Sequence, residues 1–277
     1  MSDAPAVEGE IDLDAYFRRV GYDGPRDASL QTLTALHALQ PAAMPFENID
    51  VQLGREIRLD LASLQAKLVT GRRGGYCVEQ NGLFKAVLEA LGFEVQGYLA
   101  RVHWRLPLEN RPRTHMALRV IVDGDPFHVD VGFGGCAQTA PLRLVPDQIQ
   151  PQTHGSFRFA FHDCGEITLE HDEDGWSPVY RLAAHAAEEV DYAVTNWFTS
   201  AYPGSVFKAV LMASRHLPHA RYTLLQNRLT VRPLGRPMRR EVLDADGLMQ
   251  SLKQDFGLPV EPGWRPMAER AVVAGGR

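Results

Sequence analysis

The sequence predicts an α+β fold built from an N-terminal helical bundle (residues 1–92), a central β-domain (93–195) and a C-terminal α/β unit (196–277). Three observations carry that reading. Apolar residues recur at helical spacing up to Gly92, the period changes to two from Phe93 onward, and helix and strand signals mix after Asn196.

In chain order, Leu13, Tyr16, Phe17 and Val20 form the apolar face of a first helix that ends at Gly21. Leu30, Leu33, Leu36 and Leu39 predict a second, stopped by Pro41; Asp60 caps a third through Leu61, Leu64 and Leu68. Phe84, Val87, Leu88 and Leu91 define a fourth that stops at Gly92 and holds Cys77 in its first turn. Beyond Phe93, Met116, Leu118, Val120 and Val122 alternate, as do Phe127, Val129 and Val131, and the Asp123-Gly124-Asp125-Pro126 run between them predicts a β-hairpin. Segments 156–162, 167–171 and 178–182 read as further strands separated by Gly- and Asp-rich turns. In the last unit, 206–215 reads as helix and 221–232 as strands. Leu248, Leu252 and Phe256 mark a helix closed by Gly257 and Pro259, and the tail after Trp264 is expected to fray.

Composition narrows the function classes. With 277 residues and 45% apolar content the chain can bury a real core, and 34 acidic against 29 basic residues give a net charge of -5. That balance supplies no reason to expect nucleic acid or an anionic membrane as partner, so a polyanionic ligand must be met by local groups. Cys77, Cys136 and Cys164 are few, odd in number and widely spaced, which fits a reducing cytoplasm and no disulfide framework. No metal is expected: the cysteines lack zinc spacing, and Pro218 breaks the geometry of His216-Leu217-Pro218-His219. Neither a signal peptide nor a membrane span is expected.

The chemistry centres on Arg72-Arg73-Gly74-Gly75-Tyr76-Cys77-Val78-Glu79-Gln80-Asn81. At a helix N-terminus, unpaired N–H groups and the positive dipole end favour thiolate over thiol, and Arg72 and Arg73 add positive charge. A cysteine nucleophile needs a base and a group that orients the base. His115 opens the strand of Met116 and shares a face with Arg119 and Asp130. His128 has the same parity and is a rival base. A regular turn at Gly124-Asp125 would set Asp130 opposite Arg119, ~13 Å along the strand from His115, so a bulge, coiling or a different turn must close the gap. Gly132-Phe133-Gly134-Gly135 is too short for a dinucleotide fingerprint, and no P-loop occurs.

The run Arg-Gly-Gly-Tyr-Cys-Val-Glu-Gln-Asn resembles the active-site signature of the arylamine N-acetyltransferases. Tyr16-Phe17 with Gly21-Tyr22, then Pro45-Phe46-Glu47-Asn48, then Asp130-Val131-Gly132-Phe133-Gly134 agree with that family in the same order across most of the chain. Departures are Val78, where an aromatic is commoner, and Gln40, where many relatives have a His. The resemblance implies a cysteine-protease-like core with the α/β unit as a lid, and a triad of Cys77, His115 and Asp130 with His128 structural. It also implies acetyl-CoA as co-substrate and an arylamine or arylhydrazine as acceptor, handled by a ping-pong course in a cytoplasmic monomer or homodimer. On the same ground Gly132, Gly134 and Phe207 are expected to contact coenzyme A, and Phe46, Tyr76 and Phe133 the acceptor. Glu47 and Arg73 are expected to form a buried ion pair. A transglutaminase-like or papain-like amidase would use the same Cys-His-Asp set and is the alternative.

Overall fold

The computed structural model describes residues 9–105, 111–136, 138–172 and 175–276. Helix α1 (Leu13–Val20) starts where the Asp12 carboxylate accepts the Ala15 N–H and ends at Gly21, whose φ of 75° closes the helix in the left-handed region. It buries Tyr16, Phe17 and Val20, as the spacing predicts. Helix α2 (Leu30–Ala43) runs through Pro41 instead of stopping there. In the last turn proline removes only its own N–H, and the buried side chains of His37, Gln40 and Pro41 hold the extra residues in place. Strand β1 (Phe46–Glu47) and helix α3 (Ile49–Gln52) follow. The Asp60 cap holds: its carboxylate accepts the Ser63 N–H at the start of α4 (Leu61–Leu64). The expected single helix then widens into a π-helical turn over Gln65–Thr70, where the Gly71 N–H reaches back to Ala66. Helix α5 (Cys77–Ala90) packs the aliphatic face predicted for it, and Gly92 beyond it has φ 91°.

The middle of the chain is one antiparallel sheet. Its strands are β2 (Glu94–Val102), β3 (Arg113–Val122), β4 (Asp125–Val129), β5 (Leu142–Arg143), β6 (Gln150–Gln152), β7 (Gly155–Phe161), β8 (Ile167–Asp172) and β9 (Trp176–Leu182). They lie in the order β5-β4-β3-β2-β9-β8-β7-β6. The two ends nearly meet: Pro146 bridges Phe159 of β7, and the Gln150 amide bonds both the N–H and the carbonyl of Arg143 at 2.8 and 2.9 Å. The sheet is thus barrel-like, with few exposed edges.

Its β3–β4 hairpin resolves the register problem. The turn is at Asp123-Gly124, both with positive φ (52° and 83°), and Val122 pairs with Asp125. Such a two-residue turn matches strand twist and is the regular solution here. Moving the turn by one residue moves the pairing by two: Leu118 faces Val129, so Asp130, just past the strand, comes level with Ala117. The remaining offset from His115 is two residues, ~7 Å along the strand on one face, which side chains can cross. A bulge lies next to His115, because Ala100 pairs with His115 while Arg101 pairs with Arg113, leaving Thr114 as the extra residue.

The chain then forms α6 (Glu189–Ser200), α7 (Val206–Ala209), β10 (Met212–Leu217), β11 (Ala220–Leu225), β12 (Arg228–Pro233), β13 (Arg239–Val242), α8 (Ala245–Gln254) and α9 (Arg265–Gly275). A second sheet has the order β1-β10-β11-β12-β13, so a strand from the N-terminal unit forms one edge of the C-terminal sheet. Residues 195 and 196 lie inside α6. Two expectations fail here. The helix expected over 206–215 stops at Ala209, because Met212–Leu217 is held between β1 and β11. The tail does not fray: Trp264, Met267, Ala268 and Ala271 recur at i, i+3, i+4 and i+7 and bury against Leu248, Leu252 and Phe256.

Candidate active site

Cys77 is the first residue of α5, and the two glycines before it are demanded by close approach. A Cβ at Gly74 would stand 2.0 Å from the Pro45 carbonyl oxygen, and one at Gly75 would stand 2.7 Å from Glu79 Oε2. That Glu79 oxygen accepts the Tyr76 N–H at 3.1 Å, capping the helix from within its first turn. The Cys77 Sγ lies 3.5 Å from the carbonyl of Thr114, the bulged residue beside His115.

His115 and Asp130 meet: Nε2 of the imidazole is 2.8 Å from Asp130 Oδ2. This leaves Nδ1 as the ring nitrogen for Cys77, whose side chain is within hydrogen-bonding reach of the imidazole. Burial alone would lower the His115 pKa, but the Asp130 charge and hydrogen bond, joined by Cys77, outweigh it and push it up to about 10. Asp130 is buried too, which would raise its carboxyl; the His115 pair and the Asn81 hydrogen bond hold it well below the usual carboxylate range instead.

Every lone pair of that carboxylate is used. Oδ1 accepts from Asn81 Nδ2 and from the Gly132 N–H, both at 2.9 Å, and Oδ2 accepts from His115 and from the Tyr180 hydroxyl at 2.8 Å. Since Tyr180 spends its proton on Asp130, its oxygen accepts from His128 Nε2 at 2.7 Å and from Gln138 Nε2 at 3.2 Å. His128 is therefore occupied behind the carboxylate, and burial pulls its pKa down to about 4. His37, pulled to about 3 by burial, accepts the Asp130 N–H at 3.2 Å. Sequence reasoning missed Asn81 and Tyr180 as partners. Asn81 carried a signal, one helical turn after Cys77 on the same face. Tyr180 carried none, because β9 reaches Asp130 only through a pairing with β2.

A cleft of about 890 Å³ opens over Cys77 and His115. Phe46, Phe133, Phe207, Gly132 and Gly134 line it. Both glycines sit where side chains cannot: a Cβ at Gly132 would be 2.8 Å from Cys77 Cα, and one at Gly134 2.6 Å from the Phe46 ring. Tyr76, expected among the lining residues, is not one. Its ring is fully buried, edge-on beneath Phe207 at 5.4 Å, with its hydroxyl on Asn196.

On the far side of the Cys77 turn, Arg73 grips Glu47 through Nε and Nη2 (3.0 and 2.7 Å) and Asp50 through Nη1 (3.2 Å). Lys67, brought in by the π-helical turn, bridges Asp50 at 2.9 Å and Glu79 at 2.6 Å. The expected Glu47–Arg73 pair is thus the centre of a larger buried cluster, which also docks Trp264 under the Arg73 guanidinium at 4.7 Å.

A family model described as N-acetyltransferase matches residues 29–265. The chain is 38% identical over 251 residues to the arylamine N-acetyltransferase of Escherichia coli (strain K12), covering 90% of this chain and 89% of that one. It belongs to the arylamine N-acetyltransferase family. Among solved structures, that of arylamine N-acetyltransferase from Salmonella typhimurium superposes with a TM-score of 0.88 at 34% identity, covering 96% of this chain and 99% of that chain. The arylamine N-acetyltransferase of Mycobacterium marinum in complex with CoA gives 0.88 at 34% identity, covering 94% and 98%. In this member of the arylamine N-acetyltransferases the Gln40 departure is absorbed by a buried amide network. Gln40 accepts from Tyr16 at 2.7 Å and donates to the backbone and side chain of Gln80, which in turn donates to the carbonyls of Met44 and Pro45. Among the described residues no group of His, Cys, Asp and Glu could hold a metal, and no helix is long and apolar enough to cross a membrane.

Proposed function

We propose that the protein transfers an acetyl group from acetyl-CoA to arylamines and arylhydrazines by a ping-pong course through acetyl-Cys77. The observation that carries this reading is the imidazole of His115 held between Asp130 at 2.8 Å and the Cys77 thiol. With the proton of the Cys77 sulfur resting on His115 Nδ1, the thiolate attacks the thioester carbonyl; a new C–S bond forms, the old C–S bond breaks, and the imidazolium gives the proton to the departing coenzyme A sulfur. The Cys77 N–H, one of the donors that a helix N-terminus leaves unpaired, stabilises the oxyanion. The amine nitrogen then attacks acetyl-Cys77, the C–N bond replaces the C–S bond, and His115 takes the amine proton. Asp130 fixes the ring with Nε2–H toward itself, so that Nδ1 serves the sulfur.

In this reading Phe46 and Phe133 receive the aromatic acceptor, and Gly132, Gly134 and Phe207 lie along coenzyme A. The helical bundle (1–92) and the β-domain (93–195) act as a cysteine-protease-like core, and residues 196–277 as its lid. Acetyl-CoA alone should leave one acetyl group on Cys77, located by intact mass and peptide mapping and absent from Cys77→Ser. Aniline or an arylhydrazine should discharge it to the N-acetyl product. A folded protein that stays unacetylated and cleaves amides instead would overturn the reading in favour of the amidase.

A further inference from the structure

Asn48 occupies the N-cap position of α3, yet its side chain makes no bond to that helix. An asparagine there ordinarily accepts from the second or third N–H of its own helix. Here Glu47 Oε2 takes the Ile49 N–H at 2.7 Å, and the Asn48 carboxamide, on a residue 1% exposed, turns to a segment 159 to 162 residues further along the chain. Its Nδ2 donates to the carbonyls of Phe207 and Val210 at 2.9 and 2.8 Å, and its Oδ1 accepts the Met212 N–H at 2.8 Å. Both donor hydrogens and the oxygen are thus committed to the stretch that joins α7 to β10.

That stretch depends on outside support. Helix α7 is four residues long and buries none of them, and a single helical turn is unstable by itself because its nucleus fixes several residues for one bond. Its last carbonyls also have no partner within the helix. Side chains from other elements take them: Phe207 is held by Asn48 and by Gln52 Nε2 at 2.5 Å, and Ala209 by Gln226 at 3.1 Å. Phe207 is the one α7 residue that is partly covered. Its ring meets Tyr76 edge-on at 5.4 Å and Phe46 at 6.0 Å, and it lines the cleft. The bonds on its carbonyl therefore decide where that ring stands.

We infer that Asn48 is a positioning residue: through the Phe207 and Val210 carbonyls it holds α7 so that the Phe207 ring stands in the cleft wall before the acetyl donor arrives. This rests on Phe207 lying along coenzyme A, as proposed above. Three consecutive residues then divide the work around Cys77: Phe46 lines the cleft, Glu47 grips Arg73 of the catalytic loop, and Asn48 secures α7. Without the carboxamide the turn samples other placements, and only a fraction of the molecules present the ring where the donor meets it. Apparent affinity for the donor falls by that fraction, while saturating donor selects the competent placement.

The test is a double-mutant cycle on the first half-reaction, with acetylation of Cys77 followed by rapid quench and intact mass over a range of acetyl-CoA concentrations. Asn48→Ala should raise the half-saturating concentration about fivefold or more, with the rate at saturation kept within about twofold. Asn48→Asp keeps an oxygen for the Met212 N–H but offers α7 no donor, and should behave like Asn48→Ala. Gln52→Ala removes the second donor on the Phe207 carbonyl. It should shift half-saturation in the same direction by a smaller factor, and it carries the test if the Asn48 variants do not fold. In a Phe207→Ala background each substitution should add less than about twofold, since the ring through which it acts is gone. Three results overturn the inference: the same rise in both backgrounds, a wild-type half-saturation in Asn48→Asp, or a smaller acetylated fraction at unchanged half-saturation, which would mean that the side chain only keeps the protein folded. Failure of the proposed function is a different result, in which wild-type Cys77 takes no acetyl group at all.

Discussion

Two buried charge clusters flank Cys77, and the first turns of α5 divide them. Glu79, two residues along, belongs to Glu47, Asp50, Lys67 and Arg73; Asn81, four along, belongs to Asp130, His115 and Tyr180. The first cluster opposes three acids with two buried cations that stay charged, joined by direct ion pairs, and the exposed Arg55 adds a contact to Asp50 at its rim. The second contains one carboxylate satisfied on all sides and one cation able to lose its proton, whose second ring nitrogen faces the Cys77 sulfur. The difference separates holding from transferring. A site that must move a proton needs a titratable partner with one open position, whereas a site that only fixes chain segments is best served by groups that never titrate.

The largest effect should come from breaking the second cluster at its carboxylate. Asp130→Asn keeps size and most hydrogen bonds but lets the amide turn a donor toward Nε2, which selects the tautomer with its proton toward Cys77. Loss of orientation of this kind costs about 10⁴ in kcat in the Ser-His-Asp proteases, or about 5 kcal/mol of transition-state stabilisation. Acetylation of Cys77, read by stopped-flow release of coenzyme A, should fall on that scale while the folded circular-dichroism spectrum is kept. Near-normal turnover would remove Asp130 from the mechanism.

Breaking the first cluster should do the reverse. Arg73→Met takes from buried Glu47 its direct partner and leaves Asp50 to Lys67 and the exposed Arg55, and removal of one partner of a buried pair costs about 3–5 kcal/mol of stability. Chemical denaturation should show that loss, with acetyl transfer by the folded fraction close to wild type. If turnover falls while the unfolding midpoint stays put, the division of labour between the clusters is wrong.

How far this was legible from sequence follows from which contacts are local. The Cys77 helix, its Gly-Gly entry and the Asp60 and Gly21 caps are decided within a few residues, and periodicity found them. Parity put His115 and Asp130 on one face, but their distance depended on the turn: choosing Gly124-Asp125 over Asp123-Gly124 is a one-residue difference that moves the carboxylate by two positions. Tyr180 depends on strand order, which alternation does not encode. The strand Met212–Leu217 looked helical because one of its two partners lies in β1, far away in the chain. Tyr76 looked like a pocket residue because the motif displays it beside Cys77, while the cap geometry turns its ring inward beneath Phe207.

The smallest and most diagnostic effect is on stability against pH. His115 has its folded-state pKa raised to about 10 from an unfolded value near 6.5. Its contribution is therefore full below about pH 6.5 and is lost as pH rises toward 10, because over that window the folded state holds a proton that the unfolded state has released. The slope should approach 1.4 kcal/mol per pH unit in the middle of the window. The cations of the other cluster stay charged across it, since burial is outweighed by the facing carboxylates and both Lys67 and Arg73 are raised above their ordinary values. His37 and His128 are neutral throughout, being held at about 3 and about 4 by burial. Denaturant midpoints at pH 7.5, 8.5 and 9.5 should fall steadily for the wild type and for Arg73→Met, and should stay nearly level for Asp130→Asn, in which the group raising His115 is gone. A parallel fall in all three would mean that the alkaline loss comes from elsewhere and that His115 does not keep its proton against Asp130.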